Sequence, residues 1–144
     1  MESKVDDAVA YFDEGFSCSQ SVLTAYCEEF GLDIETARLI ASGFGGGMGR
    51  LQETCGAVTG AFMVIGLKYG YFEKEDKAAK EKTYALVQKF AALFEERNKS
   101  IKCIDLVGED MRHGDLLKAM ERVREICPKL VKDAAEILES VMIE

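Results

Sequence analysis

The chain has 144 residues, of which 48% are hydrophobic, and its formal net charge is −8. This size and composition predict one domain over residues 1–144 that can bury its core without disulfide cross-links. The excess of acidic residues argues against nucleic acid as a partner, because binding to phosphates requires clustered lysine and arginine.

Residues 1–7 lack the basic start and the apolar stretch of a secretory signal, and no lipidation motif is present. We therefore expect a cytoplasmic protein. The five cysteines should be reduced in that compartment, which favours thiol chemistry or metal binding over a permanent disulfide framework.

Apolar residues recur every three or four positions, alternating strand patterns are missing, and the chain has a single proline. These features predict an all-α fold, a single-domain helical bundle of about six to seven helices around a buried central helix. Ser3 is predicted to cap the first helix, which stops at Gly15. Ser17 is predicted to cap a second helix, which reaches Phe30 before Gly31.

A short third helix is predicted to start after Asp33 and to end near Gly43, where a glycine-dense loop over residues 43–49 begins. Residues 54–69 are apolar or small on all sides of the helical wheel, which predicts the central buried helix. Its uncharged stretch is shorter than the roughly 20 residues that span a bilayer, so we expect no direct membrane insertion.

Residues 74–97 have the pattern of a long amphipathic helix. The stripe predicted to face the core consists of Tyr84, Val87, Ala91 and Phe94. Residues 98–114 lack a helical pattern and are predicted to be irregular. Asp115 is predicted to cap the next helix, and Pro128 is predicted to occupy the first position of the last helix.

Four single cysteines are spread along these elements: Cys18, Cys55, Cys103 and Cys127. Cys18, Cys55 and Cys127 fall at predicted helix N-termini, where unpaired amides and the helix dipole should lower a thiol pKa from about 8.5. If all four sulfurs converge, they form a metal site that suits an iron-sulfur cluster or zinc. If only two meet, Cys55 is the expected catalytic thiol of a dithiol that cycles through a disulfide without a cofactor.

The fifth cysteine, Cys27, lies half a turn around the helix from Cys18 and is predicted to be structural. The only histidine, His113, lies in a polar turn beside Gly114 and is predicted to be exposed to solvent. No serine or aspartate near His113 forms a recognisable catalytic triad with it, so the sequence does not favour a hydrolase.

Two groups of glycines accompany the cysteines. Gly56 and Gly60 lie four residues apart on one face of the central helix, so a neighbouring backbone can come close beside Cys55. They are predicted to shape the site by keeping bulky side chains away from it. The glycine loop over 43–49 is either a structural turn or a cover for the thiol site, and the sequence leaves both interpretations open.

The order Cys18, Cys55-Gly56-Ala57-Val58-Thr59-Gly60, Cys103, Cys127 resembles the redox-active protein family named for this pattern, C_GCAxxG_C_C. The resemblance extends from residues 15–20 to residues 127–131. It implies redox activity and a partner that is either another redox protein or a transporter-associated protein. The resemblance names no reaction, so whether the protein is an oxidoreductase enzyme stays open. Whether it forms a homo-oligomer also stays open.

We therefore expect a cytoplasmic electron-transfer protein whose centre is formed by Cys18, Cys55, Cys103 and Cys127, with an iron-sulfur cluster slightly preferred. Three alternatives remain at this point. The protein is a thiol-disulfide redox protein that uses Cys55 and a partner cysteine, a zinc-binding structural or metal-handling protein, or a helical interaction module whose cysteines only pack.

Overall fold

A computed structural model describes residues 2–143 of the chain. Its helices are α1 (Val5–Glu14), α2 (Cys18–Cys27), α3 (Ile34–Ala41), α4 (Gly56–Tyr69), α5 (Lys77–Asn98), α6 (Cys103–Val107) and α7 (Leu116–Val141). Two short 3-10 turns and a helical turn at Gly45–Met48 lie between them. Within the described residues, β pairing is limited to one antiparallel bridge between Thr54 and Lys102. The predicted all-α bundle of about six to seven helices is confirmed.

Side-chain caps fix the start of several helices. Ser17 Oγ accepts a hydrogen bond from the Gln20 amide at 3.3 Å, and the Gln20 side chain accepts one from the Ser17 amide at 3.2 Å. Asp33 caps α3 and Asp115 caps α7 in the same manner. Each cap contributes about 1 kcal/mol. The caps predicted at these three residues are therefore confirmed.

The ends of the first two helical segments also match the prediction, whereas the start of α1 does not. Gly15 ends α1 and Gly31 ends the 3-10 turn after α2, both in the left-handed conformation that glycine adopts readily. The residue at the cap position of α1 is Lys4, which provides no side-chain hydrogen bond. The prediction that Ser3 caps this helix is wrong.

Helix α4 is the central buried helix that the sequence predicted. It packs most extensively against α2 and also contacts α5 and α7. Its core-facing residues include Val58, Ala61 and Ile65, which are fully buried. No helix in the described part of the chain has the length and apolar character needed to cross a membrane.

The predicted stripe of α5 is confirmed at Phe94, which is buried, and at Val87, which packs against the core, but it is wrong at Tyr84. The buried residues of α5 are Leu86, Phe90 and Phe94, whereas Tyr84 is 48% exposed. Thr83 lies on the inner side instead, and its hydroxyl donates to the Tyr69 carbonyl at 3.1 Å. The prediction failed at Tyr84 because apolar residues lie on both sides of the buried face, and contacts with α4 and α7 select between them.

Helix α7 continues through Pro128 without interruption, so the prediction of a separate last helix that starts at Pro128 is wrong. A proline inside a helix removes one hydrogen bond and costs about 3 kcal/mol. The apolar face of α7 continues on both sides of the proline, and Leu130, Val131 and Ala134 are buried beyond it. Packing along one unbroken helix outweighs the local cost of the proline.

Residues 98–114 also differ from the prediction, because they contain the short helix α6. Five residues are too few for an apolar period to show, and the helix is held by tertiary contacts rather than by propensity. Val107 is buried against Met111 and Ala119 in a small second cluster. The segment predicted to be irregular therefore contains a helix that begins at Cys103.

Candidate functional site

The four cysteines of the pattern line one cavity of about 700 Å³. Cys18, Cys55, Cys103 and Cys127 are all buried and all carry free thiols. They come from α2, from the start of α4, from α6 and from α7 respectively. The fold therefore brings distant parts of the chain to a single cavity.

Cys18 is the first residue of α2, directly after the capping residue Ser17. The next two side chains fasten this end of α2 to α3. Ser19 Oγ donates to the Ala41 carbonyl at 3.0 Å, and Gln20 Nε2 donates to the Arg38 carbonyl at 3.1 Å. These bonds fix the direction in which α2 enters the bundle.

The glycines of the Cys-Gly-Ala-Val-Thr-Gly block allow α2 and α4 to touch at their backbones. A Cβ atom at Gly60 would lie 2.8 Å from the Ser19 carbonyl oxygen. A Cβ atom at Gly56 would lie 3.2 Å from the Cys18 Cβ atom. The two glycines thus hold the first turn of α2 against the first turn of α4, with Cys18 and Cys55 at the same end.

A short pairing of two loops positions Cys55 and Cys103. The Cys55 amide donates to the Ile101 carbonyl at 2.7 Å, and the Cys103 amide donates to the Glu53 carbonyl at 2.7 Å. Both bonds lie beside the bridge between Thr54 and Lys102. The two cysteines are therefore fixed by main-chain bonds across the same contact.

The buried amide of Gln52 holds a third loop against this pairing. Its Nε2 donates to the Glu109 carbonyl at 2.8 Å, and its Oε1 accepts from the Met111 amide at 2.8 Å. The Gln52 side chain also opposes the rise that burial causes in the pKa of the Cys103 thiol. The sequence analysis missed this residue, and no spacing or motif singles it out.

The glycine loop forms a left-handed turn along one wall of the cavity. Five successive residues have φ between 59° and 69°: Gly46, Gly47, Met48, Gly49 and Arg50. Glycine adopts this conformation freely, whereas each other residue loses about 1–2 kcal/mol. Gly47 packs so closely that a Cβ atom there would lie 2.6 Å from the Cys103 Cβ atom. Of the two interpretations left open by the sequence, the loop's position fits a wall of the thiol cavity.

Three of the four cysteines lie at helix starts, as predicted, but they are not the three that the sequence indicated. Cys18 begins α2, Cys55 is the cap residue of α4, and Cys103 begins α6. Cys127 lies in the interior of α7. Its predicted place at a helix N-terminus is wrong because the helix does not restart at Pro128.

The expected lowering of thiol pKa values does not hold for the cysteines at the helix starts. Burial raises the pKa of Cys55 to about 12, although the Ala57 and Val58 amides oppose the rise. Burial likewise raises the pKa of Cys103 to about 11. Removing a thiolate from water outweighs the stabilisation that a helix start provides.

The Cys18 and Cys127 thiols interact in the cavity and shift each other's pKa in opposite directions. The hydrogen bond between them lowers the pKa of Cys127 below its ordinary value, and it is the largest of the influences that raise the pKa of Cys18. Repulsion from Cys127, Cys55 and Cys103 also raises the pKa of Cys18. Cys127 is therefore the thiol that loses its proton first, and Cys18 is the hydrogen-bond donor that stabilises the Cys127 thiolate.

The walls of the cavity include residues that the sequence analysis did not single out. The apolar ones include Phe12, Phe16, Leu106, Met111, Met120 and Val123. Three charged residues, Asp13, Arg50 and Arg124, line it as well. A signal existed for Arg124, because a residue three positions before Cys127 on one helix shares its face. That signal was hidden by the predicted break at Pro128.

Two further residues lie where the sequence predicted. Cys27 is fully buried in the main core, and its thiol donates to the Thr24 carbonyl at 3.5 Å. His113 is exposed. Among residues 2–143, no group of three or more histidine, cysteine, aspartate or glutamate side chains is arranged to hold a single metal ion.

These features define a class of small helical protein in which single cysteines, distant in sequence, share one buried cavity. The family described as "Putative redox-active protein (C_GCAxxG_C_C)" matches residues 16–141, so the chain belongs to this family. The family label writes this block as Gly-Cys-Ala-x-x-Gly, whereas the chain has Cys-Gly-Ala-Val-Thr-Gly from Cys55 to Gly60, with the first two residues in the opposite order. No match was found among curated proteins or among solved structures.

Proposed function

We propose that this protein transfers electrons through a centre held by Cys18, Cys55, Cys103 and Cys127, and that the centre is an iron-sulfur cluster. The observation that carries the proposal is that four thiols from separate helices line one buried cavity. Cysteine thiolates are the usual ligands of such clusters. A one-electron carrier also needs burial, which limits unwanted reactions with solvent.

The donor set suits a cationic cluster core on electrostatic grounds. The hydrogen bond with Cys127, burial and then repulsion from the other sulfurs all raise the pKa of Cys18, so several thiolates at this cavity would be unstable without a positive charge. Cluster iron supplies that charge and exchanges single electrons when bound. The cost of ionising buried thiols would then be offset by bonds to the metal.

The chain itself would tune such a centre through its main-chain donors. The Ala57 and Val58 amides favour the ionised form of the Cys55 thiol. The Gln52 side chain does the same at Cys103. Hydrogen bonds to ligand sulfurs raise a reduction potential by spreading their negative charge.

The test is purification without oxygen, followed by iron and acid-labile sulfide analysis and an absorption spectrum. We expect a brown protein with iron and sulfide in the wild type and in Cys27→Ser, which is the matched control because Cys27 is buried outside the cavity. Serine at any of the four cavity positions should lower iron content at least several-fold. Colourless wild-type protein with zinc, or with no metal, would overturn the proposal.

One observation favours a second candidate, a thiol-disulfide redox protein. The Cys18 and Cys127 thiols line the same cavity and shift each other's pKa, and Cys127 is the more acidic. In this scheme the Cys127 thiolate would attack one sulfur of a disulfide substrate, forming a mixed disulfide and releasing the other substrate sulfur as a thiol. Cys18 would then attack the Cys127 sulfur and release the remaining substrate sulfur as a second thiol. The protein would end with a Cys18–Cys127 disulfide, so the pair differs from the one centred on Cys55 that the sequence suggested.

Alkylation kinetics test the second candidate. We expect iodoacetamide to modify Cys127 at a lower pH than it modifies Cys55, because the hydrogen bond from Cys18 stabilises the Cys127 thiolate. Cys18→Ala removes that bond, so the pH midpoint for Cys127 should rise, whereas Cys27→Ala should leave it unchanged. An unchanged midpoint in Cys18→Ala, or a mild oxidant that joins other cysteines, counts against this pair.

A further inference from the structure

We propose that the thiol cavity is also a binding site for an organic anion with an apolar body, docked by Arg50 and Arg124. The inference names a ligand class for the site of the proposed function and rests on that cavity being the functional one. It does not require that the cavity hold a cluster.

The charges on the cavity wall differ in sign from those of the molecule as a whole. Two arginines and one aspartate line it, although the chain has a formal net charge of −8. Within residues 2–143, neither the Arg50 nor the Arg124 side chain has an ion pair or hydrogen bond. Two arginines without acidic partners on one cavity of an acidic protein favour an anionic ligand.

The exposure of the cavity's side chains to solvent decreases from its outer part to its inner part. Arg50 and Arg124 are exposed, whereas the four thiols are buried. Arg124 lies one helical turn before Cys127 on the same face of α7. A ligand with its charge at the arginines would therefore extend toward the sulfurs.

The space between these ends is apolar and large enough for a small molecule. Its volume of about 700 Å³ falls within the range of ligand sites, about 300–1,000 Å³. Phe12, Phe16 and Met120 are half-buried on its walls. These rings and the thioether would make apolar contacts with the aromatic or aliphatic part of a ligand, which the thiols alone would not provide.

Arg50 is the last residue of the left-handed turn, and the turn determines where its side chain lies. Arg50 has a φ of 64°, a conformation that an arginine adopts only at a cost of about 1–2 kcal/mol. Its side chain lies over Gly46, with Cγ 3.0 Å from where a Cβ atom would be. Such strain is retained at ligand sites when it positions a side chain.

The test uses two fluorescent probes that differ in one charged group, 8-anilino-1-naphthalenesulfonate and the neutral N-phenyl-1-naphthylamine. We expect the wild type to bind the sulfonate more tightly than the neutral probe. Arg50→Gln and Arg124→Gln should each weaken sulfonate binding about three- to ten-fold and leave the neutral probe unchanged. Lys132→Gln, which removes an exposed positive charge from α7 outside the cavity, is the matched control.

A second readout ties binding to the thiols. Saturating sulfonate should slow iodoacetamide alkylation of Cys127 several-fold and leave that of Cys27 unchanged. The inference is overturned if the two probes bind equally well, or if the arginine variants match Lys132→Gln. Iron and sulfide analysis tests the cluster, whereas probe binding tests the anion site. Failure of either proposal can therefore be distinguished from failure of the other.

Discussion

Gly47→Ala is expected to lower the free energy of unfolding by about 2–5 kcal/mol, as measured by chemical denaturation. The residue has a φ of 62°, which costs alanine about 1–2 kcal/mol. The new Cβ atom would also lie 2.6 Å from the Cys103 Cβ atom and 2.8 Å from the Gln52 Cα atom. Because one of these neighbours is main chain, relief requires movement of the loop, and overpacking of this kind costs about 1–3 kcal/mol more.

Gly49→Ala is the matched control for Gly47→Ala. Gly49 has nearly the same φ, 59°, but the nearest atom to its Cβ position lies 3.8 Å away. We expect this variant to lose only the cost of the backbone conformation, about 1–2 kcal/mol. Equal losses in the two variants would contradict the contact between the left-handed turn and Cys103. Faster alkylation of Cys103 in Gly47→Ala alone would show that the turn shields this thiol.

Gly60→Ala is expected to destabilise the protein by about 1 kcal/mol, although alanine is the better helix former. Its Cβ atom would lie 2.8 Å from the Ser19 carbonyl oxygen and 3.2 Å from Val22 Cβ, so α2 must move away from α4. The cost of overpacking, about 1–3 kcal/mol, exceeds the gain of about 1 kcal/mol from helix propensity. The displacement should also separate Cys18 from Cys127 and raise the pH at which Cys127 is alkylated.

Gly66→Ala on the same helix should change stability in the opposite direction. No atom lies within 4 Å of its Cβ position, so only the propensity gain of about 0.5–1 kcal/mol remains. Denaturation curves of the two variants, measured side by side, test the sign. Two variants that both gain stability would show that α2 and α4 are not in backbone contact at Gly60.

Local signals in the sequence predicted the helix boundaries best. The caps at Ser17, Asp33 and Asp115 and the stop at Gly15 depend on neighbouring residues, so each could be recognised without the rest of the fold. The errors arose where distant contacts decide the outcome. Pro128 is a local helix signal, but packing on both sides of it holds α7 together.

In the candidate site, too, features with a local signature were predicted and features that depend on distant contacts were not. The cysteine pattern and the family resemblance identified which thiols belong together, and they do share a cavity. Neither the pairing of Cys18 with Cys127 nor the role of Gln52 has a local signature, because both depend on how α2, α7 and the loops meet. The pKa directions were mispredicted because burial, which the sequence did not show, outweighs position on a helix.

The wide spacing of the four cavity cysteines has a thermodynamic consequence. Chains with closely spaced cysteine pairs can retain metal after they unfold, and this residual affinity reduces the stabilisation that metal binding gives the native state. Here each thiol comes from a different segment, so the denatured ensemble would have to close long loops before two sulfurs could share one ion. A metal or cluster bound by the four thiols should therefore stabilise the native state by nearly its full binding free energy. This stabilisation would be measured as an increase in melting temperature.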